Sequence, residues 1–270
     1  MLMALVTFVS NLFGAFGVSV SGQAPENLPS HPQIPVLAYH SIMPQMFYYP
    51  INANNPWILH RDVFYEQMRY LYENNFNSIT GYQLIDFLFY DGELEENPIL
   101  ITFDDGYLDN YIFAAPILQQ FGFTAIIFTI TNNIQISPQT MVAYPTHFMS
   151  FCQIEASKDV FEFASHAHLM HRSVGGVPML VSESFADIRQ DVRTSLTYPL
   201  NQTEIFAYPF GRYSLNAISA LASEGIRIAF ATHYGYVCKN ANPFILPRFT
   251  ITPNWTMEQF SEVVHGNWTE

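Results

Sequence analysis

The chain predicts an α/β fold, a parallel sheet rolled into a distorted or incomplete (β/α) barrel in a single domain, and three observations predict it. From Ile34 onward, short apolar runs alternate with longer amphipathic stretches. The runs are apolar almost without interruption, as strands covered on both faces must be. Seven such runs occur in 270 residues, a length that single α/β barrels reach.

In chain order, the first segment lies outside this pattern. Residues 1–22 are nearly all apolar up to Val20, with small residues around Ser19 to Gly22, which fits a signal peptide or a membrane anchor. No Lys or Arg precedes Arg61, so the usual basic start of a signal peptide is missing. Residues 23–33 are a polar, Pro-containing linker, and 34–270 form the folded domain. Val36–Tyr39, Ile99–Phe103, Ala125–Ile130, Phe161–Ala164, Ile205–Tyr208, Ile228–Ala231 and Phe249–Thr252 read as buried strands. Asp62–Asn74, Tyr82–Tyr90, Leu108–Phe121, Glu183–Ser195, Leu215–Ser223 and Met257–Val264 carry helical periodicity.

Composition narrows the partners. Only 12% of residues are charged, against roughly 25% in ordinary domains, and 10 Lys+Arg face 23 Asp+Glu for a net charge of −13. Nucleic acid and anionic membrane surfaces both require clustered cations, so both are excluded as electrostatic partners. At 49% hydrophobic residues the chain is not disordered. Cys152 and Cys238 lack metal-binding spacing, and read either as one bridge or as two free thiols.

The strand ends carry the chemistry. His40 follows VLAY, Asp104-Asp105-Gly106 follows ILITF, Ser165-His166 follows FEFA, Pro209-Phe210-Gly211 follows IFAY, and Thr232-His233 follows IAFA. In α/β barrels the C-terminal strand ends hold the active site. Two adjacent carboxylates closing an apolar run need compensation, from a divalent cation or a shared proton. Strand neighbours point to opposite faces, so Asp104 and Asp105 should have different tasks. FASHAHLMH adds His166, His168 and His171. One Asp with two His and open positions suits zinc or a similar metal. His166 and His171 converge only if the segment between them is a loop.

The segments PVLAYHSI, PILITFDDGYLDNYIFAAPIL, FEFASHAHLMH, IFAYPFGRYS and LPRFTIT resemble, in that order, the polysaccharide deacetylases of the NodB-homology type (carbohydrate esterase family 4). The resemblance spans most of Ile34 to Phe260, and TFDDG followed by YxDNY is its most specific part. It implies a hydrolase that removes N-acetyl groups from a GlcNAc-containing polysaccharide with a divalent metal, Zn2+ foremost and Ni2+ or Co2+ as alternatives. It matches Asp104 to the catalytic base, Asp105, His166 and His171 to the metal ligands, and the Phe210 backbone N–H to an oxyanion donor. The five-residue histidine spacing resembles the branch acting on poly-N-acetylglucosamine.

Two features depart from the family. Its third motif usually carries an Arg where this chain has Ala207, which makes Arg212 the candidate replacement for orienting the base. The late Leu-His motif that supplies the acid is not evident, so His233 stands as the substitute. Tyr107, Pro209 and Gly211 are expected to line the substrate cleft, with Trp57 and Tyr144 as further aromatic candidates and His40 as a supporting residue. Export to the exterior or the cell surface follows from residues 1–22. An acetylxylan esterase on the same scaffold, or a catalytically silent carbohydrate-binding relative, are the alternatives.

Overall fold

A computed structural model describes residues 32–48, 54–141 and 147–268. The strands are Val36–Tyr39 (β1), Ser41–Met43 (β2), Ile58–His60 (β3), Asn77–Ser78 (β4), Pro98–Asp105 (β5), Ala125–Thr129 (β6), Phe161–Ser165 (β7), Ser173–Val174 (β8), Val177–Pro178 (β9), Gln202–Ala207 (β10), Ile228–Phe230 (β11) and Phe249–Thr250 (β12). The α-helices are Gln45–Tyr48 (α1), Arg61–Glu73 (α2), Gly81–Tyr90 (α3), Ala115–Phe121 (α4), Phe151–Glu155 (α5), Met179–Ser182 (α6), Phe185–Ser195 (α7), Leu215–Ser223 (α8) and Met257–Val264 (α9).

The principal sheet runs β11-β10-β7-β6-β5-β1-β12 with every neighbouring pair parallel, and β4 pairs with the start of β5. All seven expected strands belong to it. The expected helices are present too, with one difference: residues 108–121 are not one α-helix. Asn110–Ala114 form a π-helical segment ahead of α4. Pro116 has no N–H to give to the regular ladder, so the backbone shifts register before α4 begins.

The period-2 alternation of β5 sorts its side chains. Ile99, Ile101 and Phe103 pack with Phe64 and Met68 of α2, Ile117 and Leu118 of α4, and Phe260 of α9. Leu100 packs on the opposite face with Phe128, Ile205 and Phe230 and with Leu84 and Phe87 of α3. Phe206 and Ala229 meet α7 and α8 in a third cluster. Thr102 and Asp104 follow Leu100 on the inner face. Every residue of β5 is buried, so its terminal carboxylates are held inside protein at the C-terminal mouth of the sheet.

Residues 1–22 and most of the 23–33 linker fall outside the described residues, as does Tyr144. No helix among the described residues is long and apolar enough to cross a membrane. Cys152 and Cys238 are both free thiols.

Candidate active site

Asp104 lies on the inner face of β5, 3% exposed, and is gripped by Arg248. Arg248 Nη1 donates to Oδ1 at 2.7 Å and Nη2 donates to Oδ2 at 2.8 Å, a planar two-bond pair. Arg248 is 0% exposed. Two further donors are used as well: Nε donates to the Ala231 carbonyl at 3.0 Å and Nη1 reaches Thr102 Oγ1 at 3.3 Å. Burial alone would raise the Asp104 carboxyl, but the Arg248 guanidinium and the nearby imidazoles outweigh it and hold the pKa below the ordinary value.

Arg248 corrects the sequence expectation. The partner absent at Ala207 is supplied not by Arg212, which is exposed just past the β10 turn, but by the arginine immediately before β12. Ala207 keeps a task through its backbone: its carbonyl is 2.8 Å from His166 Nδ1. A readable signal for Arg248 was present, a lone charge inside the largely apolar run ILPRFTIT. Such a charge is buried only if paired.

Asp105 turns away from the strand. Its φ of 76°, followed by Gly106 at 81°, places it in the left-handed region and ends the pleat. Its Oδ1 lies 3.3 Å from His171 Nε2 and 3.7 Å from His166 Nε2, buried and without a hydrogen-bond partner. One ligand atom from each of the three residues lies within 4.8 Å of the others. Burial would raise the Asp105 carboxyl, but the surrounding imidazoles of His171, His166 and His40 reverse this and hold it well below its usual range.

The loop after β7 brings the two histidines together. Ala167 takes a φ of 68°, and Asp191 of α7 accepts the backbone N–H groups of His168 at 2.8 Å and Leu169 at 2.7 Å. The turn pinned this way sends the intervening His168 elsewhere, to Thr131 Oγ1 at 2.9 Å. His166 is fully buried, which lowers its pKa to about 4. Since Ala207 O can only accept, Nδ1 carries the proton and Nε2 presents a lone pair toward Asp105. A carboxylate oxygen without a donor, facing an imidazole lone pair, lacks only a cation between them. These residues therefore fit a divalent metal.

The β10 turn supplies the next wall. Pro209–Gly211 form one 3₁₀ turn in which Phe210 has φ 59° and ψ 12°. Pro209 has no N–H, so the first N–H of the turn is that of Phe210, which has no intrahelical acceptor. Gly211 cannot be replaced without movement, since a Cβ there would meet Thr232 Oγ1 at 1.9 Å. The Phe210 ring lies 4.6 Å from that of His171. Tyr107 stacks on Phe148 at 5.3 Å; burial first, and then the carboxylates of Asp105, Asp109 and Asp104, push its phenol upward.

His40 approaches from the other side, with Nε2 4.0 Å from Asp104 Oδ2 and its ring 4.6 Å from Trp57. Ser41 Oγ donates to Asp109 Oδ2 at 2.6 Å and Ile42 N–H donates to Oδ1 at 3.1 Å, so a buried carboxylate fixes the backbone just after His40. His233 is exposed; its carbonyl accepts the Arg248 N–H at 3.1 Å, and the structure brings its imidazole to neither carboxylate.

A paired base-type carboxylate beside an Asp-His-His cluster at the mouth of a parallel half-barrel defines a hydrolase-type centre. The sequence profile of the polysaccharide deacetylase family matches residues 91–229, just over half of the chain, and the chain belongs to that family. It is thus a polysaccharide deacetylase with the NodB-type fold. It is 26% identical over 235 residues, 87% of this chain and 77% of the relative, to YxkH of Bacillus subtilis, a protein named for the polysaccharide deacetylases. The poly-β-1,6-N-acetyl-D-glucosamine N-deacetylase of Staphylococcus epidermidis is 25% identical over 169 residues, 60% of this chain and 57% of that one. Among solved structures, Streptococcus pyogenes deacetylase PplD in complex with acetate aligns with a TM-score of 0.74 at 24% identity, over 87% of this chain and 99% of that one. IcaB from Ammonifex degensii gives 0.71 at 20% identity, over 87% and 97%.

Proposed function

We propose that residues 34–270 form a metal-dependent N-deacetylase acting on a GlcNAc-containing polysaccharide, exported to the exterior or the cell surface by residues 1–22. The observation that carries this reading is the division of labour at the end of β5: Asp104 is neutralised by an internal arginine, whereas Asp105 meets two imidazoles whose ligand atoms converge with its own. The Staphylococcus epidermidis relative, named for poly-β-1,6-N-acetyl-D-glucosamine, and the five-residue histidine spacing support the substrate class.

Asp105, His166 and His171 would hold the cation, Zn2+ by donor type with Ni2+ or Co2+ as alternatives, and a cation there would polarise the acetyl carbonyl and acidify water. Asp104 accepts the proton of the attacking water. Arg248 keeps it ionised and fixes its orientation, and each of its oxygens retains a lone pair for that task. The Phe210 N–H donates to the oxygen on which negative charge develops. Pro209 and Gly211 set that donor's direction, and Tyr107 lines the opposite wall.

The leaving nitrogen must receive a proton. His40 is the imidazole the structure sets beside Asp104, and we assign it that role ahead of the exposed His233. A catalytically silent relative would not need a partner for the base, and Arg248 supplies one.

The test is acetate release from poly-N-acetylglucosamine, chitin oligomers, peptidoglycan and acetylxylan, with and without chelator. The expected result is chelator-sensitive release from an N-acetylated polymer, reduced about 10²–10⁴-fold by Asp104→Asn. Release only from acetylxylan would move the function to the esterase, and metal binding without any release would favour the silent relative.

A further inference from the structure

Two large aromatic side chains stand half-exposed at this centre, Trp57 at 49% and Phe210 at 48%. Neither ring packs into the hydrophobic clusters of the described residues. Each instead lies against one histidine of the site: Trp57 on His40 at 4.6 Å, Phe210 on His171 at 4.6 Å. The sheet order places them on opposite sides of the two carboxylates. Trp57 lies against His40, which directly follows β1, one strand from β5 in one direction; Phe210 follows β10, three strands from β5 in the other.

The backbone at each ring is defined by specific local structure. The Trp57 carbonyl accepts the Ser41 N–H at 3.0 Å, and the Trp57 N–H donates to Asn55 Oδ1 at 3.0 Å. Phe210 occupies a left-handed backbone conformation that glycine would adopt without strain. Solvent-facing aromatic surface beside a reaction centre is what an apolar, flat ligand face requires.

From this we infer that Trp57 and Phe210 are two sugar-binding platforms flanking the reaction centre, each taking the apolar C–H face of a hexopyranose on one side of the residue being deacetylated. The enzyme therefore acts on internal residues of a neutral polymer, and three consecutive sugars are the smallest good substrate. No cationic side chain is needed for this mode of holding, in keeping with a chain of net charge −13. The inference rests on the deacetylase function proposed above and adds the direction in which the polymer crosses the site.

The experiment compares GlcNAc oligomers of one to five units, in β-1,6 and β-1,4 linkage, with the full chain and with Trp57→Ala. For the wild type, kcat/KM is expected to rise at least about tenfold from monomer to trimer, the scale set by one aromatic anchor. Trp57→Ala should lose at least about tenfold more on the trimer than on the monomer, mainly through KM. Phe210→Leu, which retains the backbone N–H but not the flat ring, should show the same length dependence of its loss. A trimer no better than the monomer, or losses equal at every length, overturns the proposal. If no oligomer releases acetate, the deacetylase function fails on its own, and binding of the pentamer to Asp104→Asn decides the platforms. Binding weakened at least about tenfold by adding Trp57→Ala sustains them, and unchanged or undetectable binding overturns them.

Discussion

The two carboxylates that end β5 are neighbours in sequence and opposites in environment. Asp104 receives two short guanidinium bonds from a fully buried arginine, so its charge is balanced within the protein. Asp105, one residue on, receives none; its Oδ1 is buried opposite two imidazole nitrogens and lacks a hydrogen-bond donor. A buried charge is tolerated only when balanced. The contrast teaches that adjacent carboxylates are held in two ways, one by an arginine within the protein and the other among histidines that could also hold a metal. That asymmetry, more than the presence of Asp and His as such, distinguishes a metal-ready centre from a structural ion-pair cluster.

The largest break in the comparison is to take away the internal cation. Arg248→Met leaves Asp104 buried and uncompensated, and is expected to destabilise the fold by about 3–5 kcal/mol. Urea denaturation reads this directly. The double variant Asp104→Leu with Arg248→Met should recover much of the loss, because neither charge is then stranded. If the single variant is as stable as wild type, the pair is not what balances Asp104.

The complementary change acts on the other half. His171→Ala should weaken Zn2+ or Co2+ binding by about 100-fold or more, while His168→Ala leaves the three candidate ligands untouched and changes metal affinity little. Isothermal titration, or the visible spectrum of the Co2+ form, distinguishes them. Asp191→Ala sits between these extremes. Its carboxylate holds the loop that makes His166 and His171 converge, so a loss of about 10–100-fold is expected, the scale of an outer residue that orients ligands. Equal behaviour of His168→Ala and His171→Ala would reverse the assignment of the histidines.

What the sequence disclosed of these two halves is uneven, for physical reasons. The strands were legible because residues buried on both faces must be apolar, and the DDG and histidine groups because each closes or follows such a run. The convergence of His166 and His171 could be stated only as a condition on the loop. The anchor that satisfies it, Asp191, lies 22 and 23 residues from the N–H groups it holds. Arg248 lies 144 residues from Asp104, and no local pattern links them. Strands as short as β2, β4, β8 and β9 have no measurable period. The π-helical turn before α4 is a backbone adjustment that Pro116 hinted at but hydrophobic spacing does not encode.

A third carboxylate sharpens the contrast further. Asp109 is fully buried, and burial raises its pKa from 3.8 to about 7 even though Ser41 and Ile42 donate to it. Between those two values the folded protein binds more protons than the unfolded chain. The stability Asp109 contributes is therefore complete below the unfolded value and lost as pH rises through about 7. Asp104 and Asp105, whose pKa values are depressed, behave oppositely, losing their contribution on acidification. Glu162 is also raised, chiefly by burial, so the wild-type curve alone does not isolate Asp109. The difference between wild type and Asp109→Asn does. Across pH 4 to 7 the wild type should lose up to about 1.4 kcal/mol more per pH unit than the variant, one proton's share. Denaturation curves at half-unit intervals measure it. Parallel pH profiles would mean that Asp109 remains ionised in the fold, its two hydrogen bonds outweighing burial, and that all three carboxylates belong to the same class.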